Sequence, residues 1–307
     1  MRKIIIDCDP GHDDVMAILT CLAHPEAFEI LGICTVAGNQ TMEKVTKNIL
    51  KVEDYFGLDI PVYKGEAAPL VKAPEPQPAA HGESGMDGPV LPEPQRTVED
   101  KDALTFYKET LEKENKVTII ALAPLTNIAL LIKNYPELVN KIDCISLMGG
   151  SVYSGNIQKR SEFNIYHDPE AARIVFDSGV RVIMAGLEVC AAGSILLSEA
   201  AEFKNGGYAS KLCFDLMEFY KLYAVKRGFD RTPIFDLTPV IYLLKPEIFK
   251  AEEMRVYIEL DGEYCRGMTV CDKEKENPHL VLLDTDREKF IEVFLDALKI
   301  LDEKYLA

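Results

Sequence analysis

The stretch "KIIIDCDPGHDD", residues 3–14, carries four aspartates: Asp7, Asp9, Asp13 and Asp14. Carboxylates this close raise one another's pKa, and the cluster is costly unless something positive sits in it. Clustered oxygen ligands with few His or Cys nearby suit a hard cation, Ca²⁺ or Mg²⁺. One aspartate at this place is explained by helix capping and by the helix dipole. Four together are not. An EF-hand loop also begins D-x-D-x but needs a glutamate at its twelfth position, and counting from Asp7 that position is Ile18.

The elements around the cluster set where it stands. Residues 3–8 form an isoleucine-rich run that reads as a buried strand, and "DDVMAILTCLAHP" after the Pro-Gly loop has helical spacing. The cluster therefore lies where the first strand ends and the next helix begins. Strands are expected at 28–36, 60–65, 117–122, 142–148 and 180–186, alternating with helices at 41–55, 100–114, 125–133 and 168–176. That alternation predicts an α/β fold with a mostly parallel central sheet and helices on both faces. In such sheets sites form at the carboxyl ends of the strands. Two stretches break the rhythm, 65–98 with "HGESGMDGP" and 149–167 with "GGSVYSGNIQKRSEFNIYH". Long loops carrying aromatics and specific polar residues are candidate lids. Beyond residue 194 the pattern turns helical, densest at 207–227. Strands are then expected at 254–260, 264–271 and 279–284, and an amphipathic helix at 286–304. No linker or repeat divides the chain, so 1–307 reads as one domain.

Bulk composition narrows the partners. The 307 residues are 48% hydrophobic and 27% charged, as in a soluble globular protein. A net charge of -16 argues against nucleic-acid polymers and anionic membranes, both of which need a basic face. No apolar run approaches membrane-span length, and Met1, Arg2 and Lys3 precede too few apolar residues to form a signal peptide. The eight cysteines show no CxxC pair and no zinc spacing, which predicts buried reduced thiols in a cytoplasmic protein.

"DCDPGHDD" resembles the N-terminal signature of the inosine–uridine-preferring nucleoside hydrolases. "VAGNQT" (36–41), "HGESGMDGP" (81–89), "APLTNIAL" (123–130), "LMGG" (147–150) and "EFNIYHDPEAAR" (162–173) are similar to family blocks in family order. The resemblance implies a Ca²⁺-dependent enzyme that hydrolyses the N-glycosidic bond of ribonucleosides to ribose and free base. It implies that Asp9 is a metal ligand and the general base toward a metal-bound water. Asp14, the backbone carbonyl of Leu122 and Asp236 are the other implied metal ligands. Asp13, Asn39 and Asn164 are implied to bind ribose hydroxyls, Asn156 and Glu162 the 5′-hydroxyl, and Asp7 to support the cluster from behind. Phe163 is a candidate lining of the base pocket. Homo-oligomers, dimers or tetramers, and a place in nucleoside salvage come with the resemblance. The physics agrees, since an oxocarbenium-like transition state calls for negative charge beside the sugar. An acidic pocket also disfavours a 5′-phosphate, so nucleosides rather than nucleotides are expected.

One position departs from the family pattern. The family has His-Asp at the late ligand, with the histidine protonating the leaving base in several members. Here the segment reads "RTPIFDLTPV", and Phe235 precedes Asp236. Phenylalanine donates no proton. Three readings stay open. The acid comes from Tyr223, Arg227 or His81; or Phe235 stacks on a base that leaves unaided; or the substrate is an unusual N-riboside, or is bound without being cleaved. A haloacid-dehalogenase-type phosphatase, with Asp7 as nucleophile, is the alternative from another reaction class. Of the other histidines, His12 is expected in a loop role, His24 at a helix end, His167 as structural or rim, and His279 at the surface.

Overall fold

The computed structural model describes every residue except 274, 275, 277, 306 and 307, and the side chain of Tyr223. In chain order the elements begin β1 Arg2–Cys8, α1 His12–Ala23, β2 Phe28–Thr35, α2 Met42–Phe56, β3 Val62–Lys64 and α3 Pro78–His81. They continue with α4 Ala103–Lys113, β4 Val117–Ala121, α5 Thr126–Asn134, β5 Ile142–Met148, α6 Phe163–His167, α7 Pro169–Asp177 and β6 Val182–Ala185. Then come α8 Leu187–Ala192, β7 Ile195–Leu196, α9 Leu197–Ala200, α10 Tyr208–Lys226, β8 Arg231–Thr232 and α11 Leu237–Leu244. The last are β9 Phe249–Ile258, β10 Thr269–Asp272, β11 His279–Thr285 and α12 Arg287–Lys304. The expected mostly parallel α/β architecture is what forms.

Nine strands make one sheet in the order β10-β9-β11-β6-β5-β4-β1-β2-β3. Every pair from β11 to β3 is parallel, and β9 with β10 adds an antiparallel edge. Along β1 the isoleucines alternate between two cores. Ile4 and Ile6 join α1, α10, α11 and α12 on one face, while Ile5 joins α4, α5 and α7 on the other. A strand covered on both faces must be apolar throughout, which is why β1 reads as a run rather than an alternation. The chain runs from β1 outward to β2 and β3 on one side, then returns to build β4, β5 and β6 on the other. The crevice past the carboxyl ends of β1 and β4 is therefore a topological switch point, where open α/β sheets take their ligands.

Several late expectations needed correction. The strand expected at 264–271 is only Thr269–Asp272, because Gly262 to Gly267 form a turn. Gly267 has φ 77°, and a Cβ there would sit 2.7 Å from the Tyr166 Cα, so the backbone at this turn needs glycine. The strand expected at 254–260 starts earlier, at Phe249. His279, expected at the surface, is buried. Its Nδ1 accepts from Val182 N–H at 3.3 Å and its Nε2 donates to the Phe176 carbonyl at 2.9 Å. The loops expected at 65–98 and 149–167 contain the short helices α3 and α6. All eight cysteines are free, six of them buried. No helix among the described residues is long and apolar enough to cross a membrane.

Candidate active site

Asp9 leaves the end of β1 straight into the crevice. The register beneath it is held on both sides: Leu122 N–H donates to Asp7 O at 2.8 Å, and Val36 N–H to Cys8 O at 3.0 Å. One carboxylate oxygen of Asp9 accepts from the Asn39 backbone N–H at 2.6 Å, and the Asn39 amide reaches back to the Asp9 carbonyl at 3.2 Å and to Asp14 at 3.3 Å. Asp14 also turns back over the loop, accepting from Asp9 N–H at 3.2 Å and Gly11 N–H at 2.9 Å. It thus serves as the first-turn acid of α1 and as a wall of the site. Asp236 stands at the start of α11, and one oxygen each from Asp13, Asp14 and Asp236 lie within 4.8 Å of one another.

The partners that reach these carboxylates are neutral. Asp13 takes the Tyr220 hydroxyl at 3.0 Å. Burial, followed by the charge of Asp14, pushes Asp9 well above the usual carboxylate range, and burial with Asp13 does the same to Asp236. Asp14 is pushed up to about 7 by burial and by Asp13, and Asp13 is raised by burial. One oxygen of Asp9 and one of Asp13 are buried with no hydrogen-bond partner at all. Orphaned buried carboxylate oxygens cost several kcal/mol or force protonation, and a hard cation answers both needs at once. The residues present therefore fit Ca²⁺ or a similar ion.

The Leu122 carbonyl sits just past the end of β4. Asn164 on α6 fixes it, its amide donating to Leu122 O and to Met148 O, each at 3.1 Å. Glu162 caps α6: Oε1 accepts from Asn164 N–H at 2.8 Å, and Oε2 from Ile165 N–H at 3.1 Å and Gly150 N–H at 2.9 Å. Burial raises it to about 7. Its first work is thus to orient Asn164. Asp7 lies behind the cluster, fully buried, with Tyr107 and Asn127 both donating to its Oδ2 at 2.9 Å while Oδ1 has no hydrogen-bond partner.

The structure brings Asp9, Asp13, Asp14, Asn39, Leu122, Asn164 and Asp236 to the crevice. Phe235 is half-buried against two core clusters beside Asp236. Phe163 is half-buried, with its ring 5.4 Å from His167 in an edge contact. Asn156 is exposed on its loop, its backbone N–H bonded to Ser161 O at 3.2 Å. Arg227 is the exposed cap of α10. Tyr223 lies on α10, but its side chain is outside the described residues. His81 ends α3 and is buried, and burial lowers its pKa to about 4. His12 is corrected from a loop residue to the first residue of α1, fully buried and stacked on Phe219 and Tyr220 with centroids 5.3 and 5.5 Å away. Burial, then His81, lowers it to about 4. Tyr220 is the residue sequence reasoning missed. It lies on the same helix as Tyr223 and Arg227, and nothing local marks its partner, 207 positions away.

Close packing at one glycine yields a test. A Cβ on Gly38 would collide with the Asp9 carboxylate and come within 2.8 Å of Pro124. Gly38→Ala should displace Asp9 and lower kcat by about 100-fold, the usual cost of misplacing a reacting group by an ångström. Circular dichroism should show the fold intact, and steady-state kinetics reads the loss. Unchanged kcat would show that Asp9 does not need this position.

The comparisons with known proteins agree with this geometry. A model of the family described as "Inosine-uridine preferring nucleoside hydrolase" matches residues 4–292. The chain is 42% identical over 306 residues to the pyrimidine-specific ribonucleoside hydrolase RihA of Escherichia coli, covering 96% of this chain and 98% of that one. The Shigella boydii protein of the same name is 41% identical over 305 residues, with the same 96% and 98% covered. Among solved structures, a purine-preferring ribonucleoside hydrolase from Gardnerella vaginalis superposes with a TM-score of 0.92 at 29% identity, over 99% of this chain and 100% of that one. The plant nucleoside hydrolase PpNRh1 gives 0.91 at 27%, over 97% and 99%. The chain belongs to the inosine-uridine preferring nucleoside hydrolase family, and its reaction is hydrolysis of the N-glycosidic bond of a ribonucleoside.

Proposed function

We propose that this enzyme cleaves pyrimidine ribonucleosides and depends on Ca²⁺. The observation that carries the metal is the buried carboxylate group with two orphaned oxygens at the switch point. Pyrimidine preference is supported by the 42% identity to a relative named pyrimidine-specific, against 29% and 27% for the solved purine-preferring and inosine–guanosine enzymes. Asp9, Asp14, Asp236 and the Leu122 carbonyl are assigned to the cation. When bound, the cation lowers the pKa of water and anchors ribose hydroxyls.

Asp9 is the general base. Its Oδ2 is pinned by Asn39, which leaves Oδ1 to take a proton from the attacking water. Asp13, Asn39 and Asn164 hold the ribose hydroxyls and so orient C1′. The carboxylates together stabilise the positive charge that develops on the sugar. Phe163 and Phe235 are assigned to the base, and Asn156 with Glu162 to the 5′-hydroxyl. Because Phe235 has no proton, the donor to the leaving base falls to Tyr223, Arg227 or His81. The phosphatase alternative is disfavoured by family and by burial, since Asp7 is fully buried behind the cluster, with Tyr107 and Asn127 on one of its oxygens. The single domain over 1–307, a cytoplasmic place, homo-oligomeric assembly and a role in nucleoside salvage are part of the same reading. The free buried thiols support the reducing compartment.

Ribose release from uridine, cytidine, inosine, adenosine and guanosine tests the reading. Uridine and cytidine should exceed the purines by about 10-fold or more in kcat/KM. Preference for any purine would overturn the base assignment. Uridine should exceed 2′-deoxyuridine by about 10- to 100-fold, the cost of losing a hydrogen bond to a charged buried group. Equal turnover would remove the ribose contacts. Phe235 favours one second reading, a protein that binds nucleosides without cleaving them. It predicts a rise in Tm with uridine and no ribose released.

A further inference from the structure

The two histidines beside the carboxylates form a chain whose hydrogen-bond polarity can be worked out. His12 Nε2 lies 2.7 Å from the Asp87 carbonyl oxygen, and His12 Nδ1 lies 3.3 Å from His81 Nδ1. A carbonyl only accepts, so His12 Nε2 carries a proton. In the neutral ring His12 Nδ1 is then bare. The contact between the two Nδ1 atoms needs one proton, and His81 must supply it. The neutral His81 ring then has a bare Nε2, to which no described residue is bonded.

The chain is built into the site. Asp87 N–H donates to the His81 carbonyl at 3.2 Å, so 81–87 closes on itself. Asn48 tethers that loop to the start of α1, donating to the Ser84 carbonyl at 3.0 Å and the Pro10 carbonyl at 2.9 Å. A Cβ on Gly11 would lie 2.7 Å from His81 Nδ1 and 3.0 Å from the Asn39 amide nitrogen, which places His81 beside the group that holds Asp9 and Asp14. The flat face of His12 stacks within 6° of the Phe219 ring, and turning that imidazole over would break its bond to the Asp87 carbonyl.

We propose that His12 is a positioning residue which, anchored on the Asp87 carbonyl, fixes His81 as the Nδ1–H tautomer, so that His81 offers the substrate an acceptor nitrogen rather than a proton. This inference rests on the proposed active site and narrows it. In its resting state His81 takes a hydrogen bond from a hydroxyl or an N–H of the nucleoside, and it is removed from the candidate acids. The donor to the leaving base then has to be Tyr223, Arg227 or solvent. Which substrate group His81 meets is open between the ribose 5′-hydroxyl and the N–H of the base.

Neutron diffraction from crystals of the perdeuterated, calcium-loaded protein near neutral pD reads the tautomers directly, whatever the protein turns over. Deuterium on His12 Nε2 and His81 Nδ1, with His81 Nε2 bare, is expected. Deuterium on His81 Nε2 would overturn the proposal even in a fully active hydrolase. Conversely, the expected tautomers in a protein that releases no ribose would leave the proposal standing and remove the hydrolase reading. Kinetics separates positioning from bulk. His12→Phe keeps the stack and removes both nitrogens, and should lower kcat/KM for uridine by about 10- to 100-fold, as loss of an orienting partner does elsewhere. His12→Gln can donate to Asp87 and accept from His81 together, and should recover most of that loss. Equal activity in the two variants, whether high or low, would overturn the positioning role. Measured with 5′-deoxyuridine and 3-methyluridine, the His12→Phe penalty should vanish for whichever substrate lacks the hydrogen that His81 accepts. A full penalty with both would overturn the acceptor role.

Discussion

Asp9→Ala is expected to lower kcat by about 10²- to 10⁴-fold, the range for removing a positioned general base. The two oxygens of Asp9 are not equivalent. One is tied to the Asn39 N–H, and the other is buried without a partner. Asp9→Asn should cost nearly as much, because the amide keeps the shape and the Asn39 contact but cannot take a proton. Stability should move the other way in the metal-free protein. Burial and the charge of Asp14 disfavour an ionised Asp9, so deleting its charge relieves repulsion. The metal-free Asp9→Asn protein should therefore melt at or above the metal-free wild type, and the order should reverse once Ca²⁺ is added. Rates within a few-fold of wild type for both variants would exclude Asp9 as the base.

Removing the cation should have the second large effect. Excess chelator is expected to abolish ribose release and to lower Tm together. An ion present at 100 times its Kd stabilises by about 2.7 kcal/mol, a shift on the order of 5 °C for a protein of this size. Asp236→Asn should lose both the activity and the Ca²⁺-dependent part of the Tm, because Asp236 is one of the three carboxylates gathered within 4.8 Å. Asp14 lies in the first turn of α1 and Asp236 at the start of α11, so an ion held by both would bridge the first helix to a segment late in the chain. Scanning calorimetry with and without chelator, beside a ribose assay on the same samples, checks the prediction. If neither readout responds to chelator, the oxygen cluster serves some other purpose.

The first half of the fold was open to reading because its strands are buried on both faces. A run such as Ile4, Ile5 and Ile6 suits a strand covered above and below, and suits little else. The acidic loop was legible for a similar reason, since four aspartates after a strand are more than helix capping uses. The later half was harder. Pro239 hides α11, yet it occupies the first turn, where its missing N–H is not needed. The β10 strand is cut short by a glycine turn that packs on Tyr166, and no local pattern announces that contact. Glu162 carries the resemblance to a sugar-binding residue, while its carboxylate is occupied in capping α6. Tyr220 and His12 were missed or misread because their roles depend on partners far away in sequence: Asp13 for one, Asp87 and His81 for the other. Chemistry carried by neighbours in the chain was visible. Chemistry assembled by folding was not.

The loop between β3 and α4 is fastened unevenly. Its first part is tied down at Leu70 by Asp168, at Gln77 by the Asn39 carbonyl, and through 81–87 by Asn48 and His12. Its far end is clasped by Arg96, which binds Glu53 at 3.1 Å, the Leu58 carbonyl and Asp59. Between these fastenings, 88–95 is mostly exposed and is held by surface contacts such as Glu93 with Lys47 and Lys51. Length is therefore cheap in one place and expensive in the other. Residues inserted at 88–95 lengthen a surface arc between two fixed posts, whereas one residue added between 77 and 87 pulls Asp87 off His12. Over evolutionary time this chain should gain and lose segments at 88–95 and keep a constant count from 77 to 87.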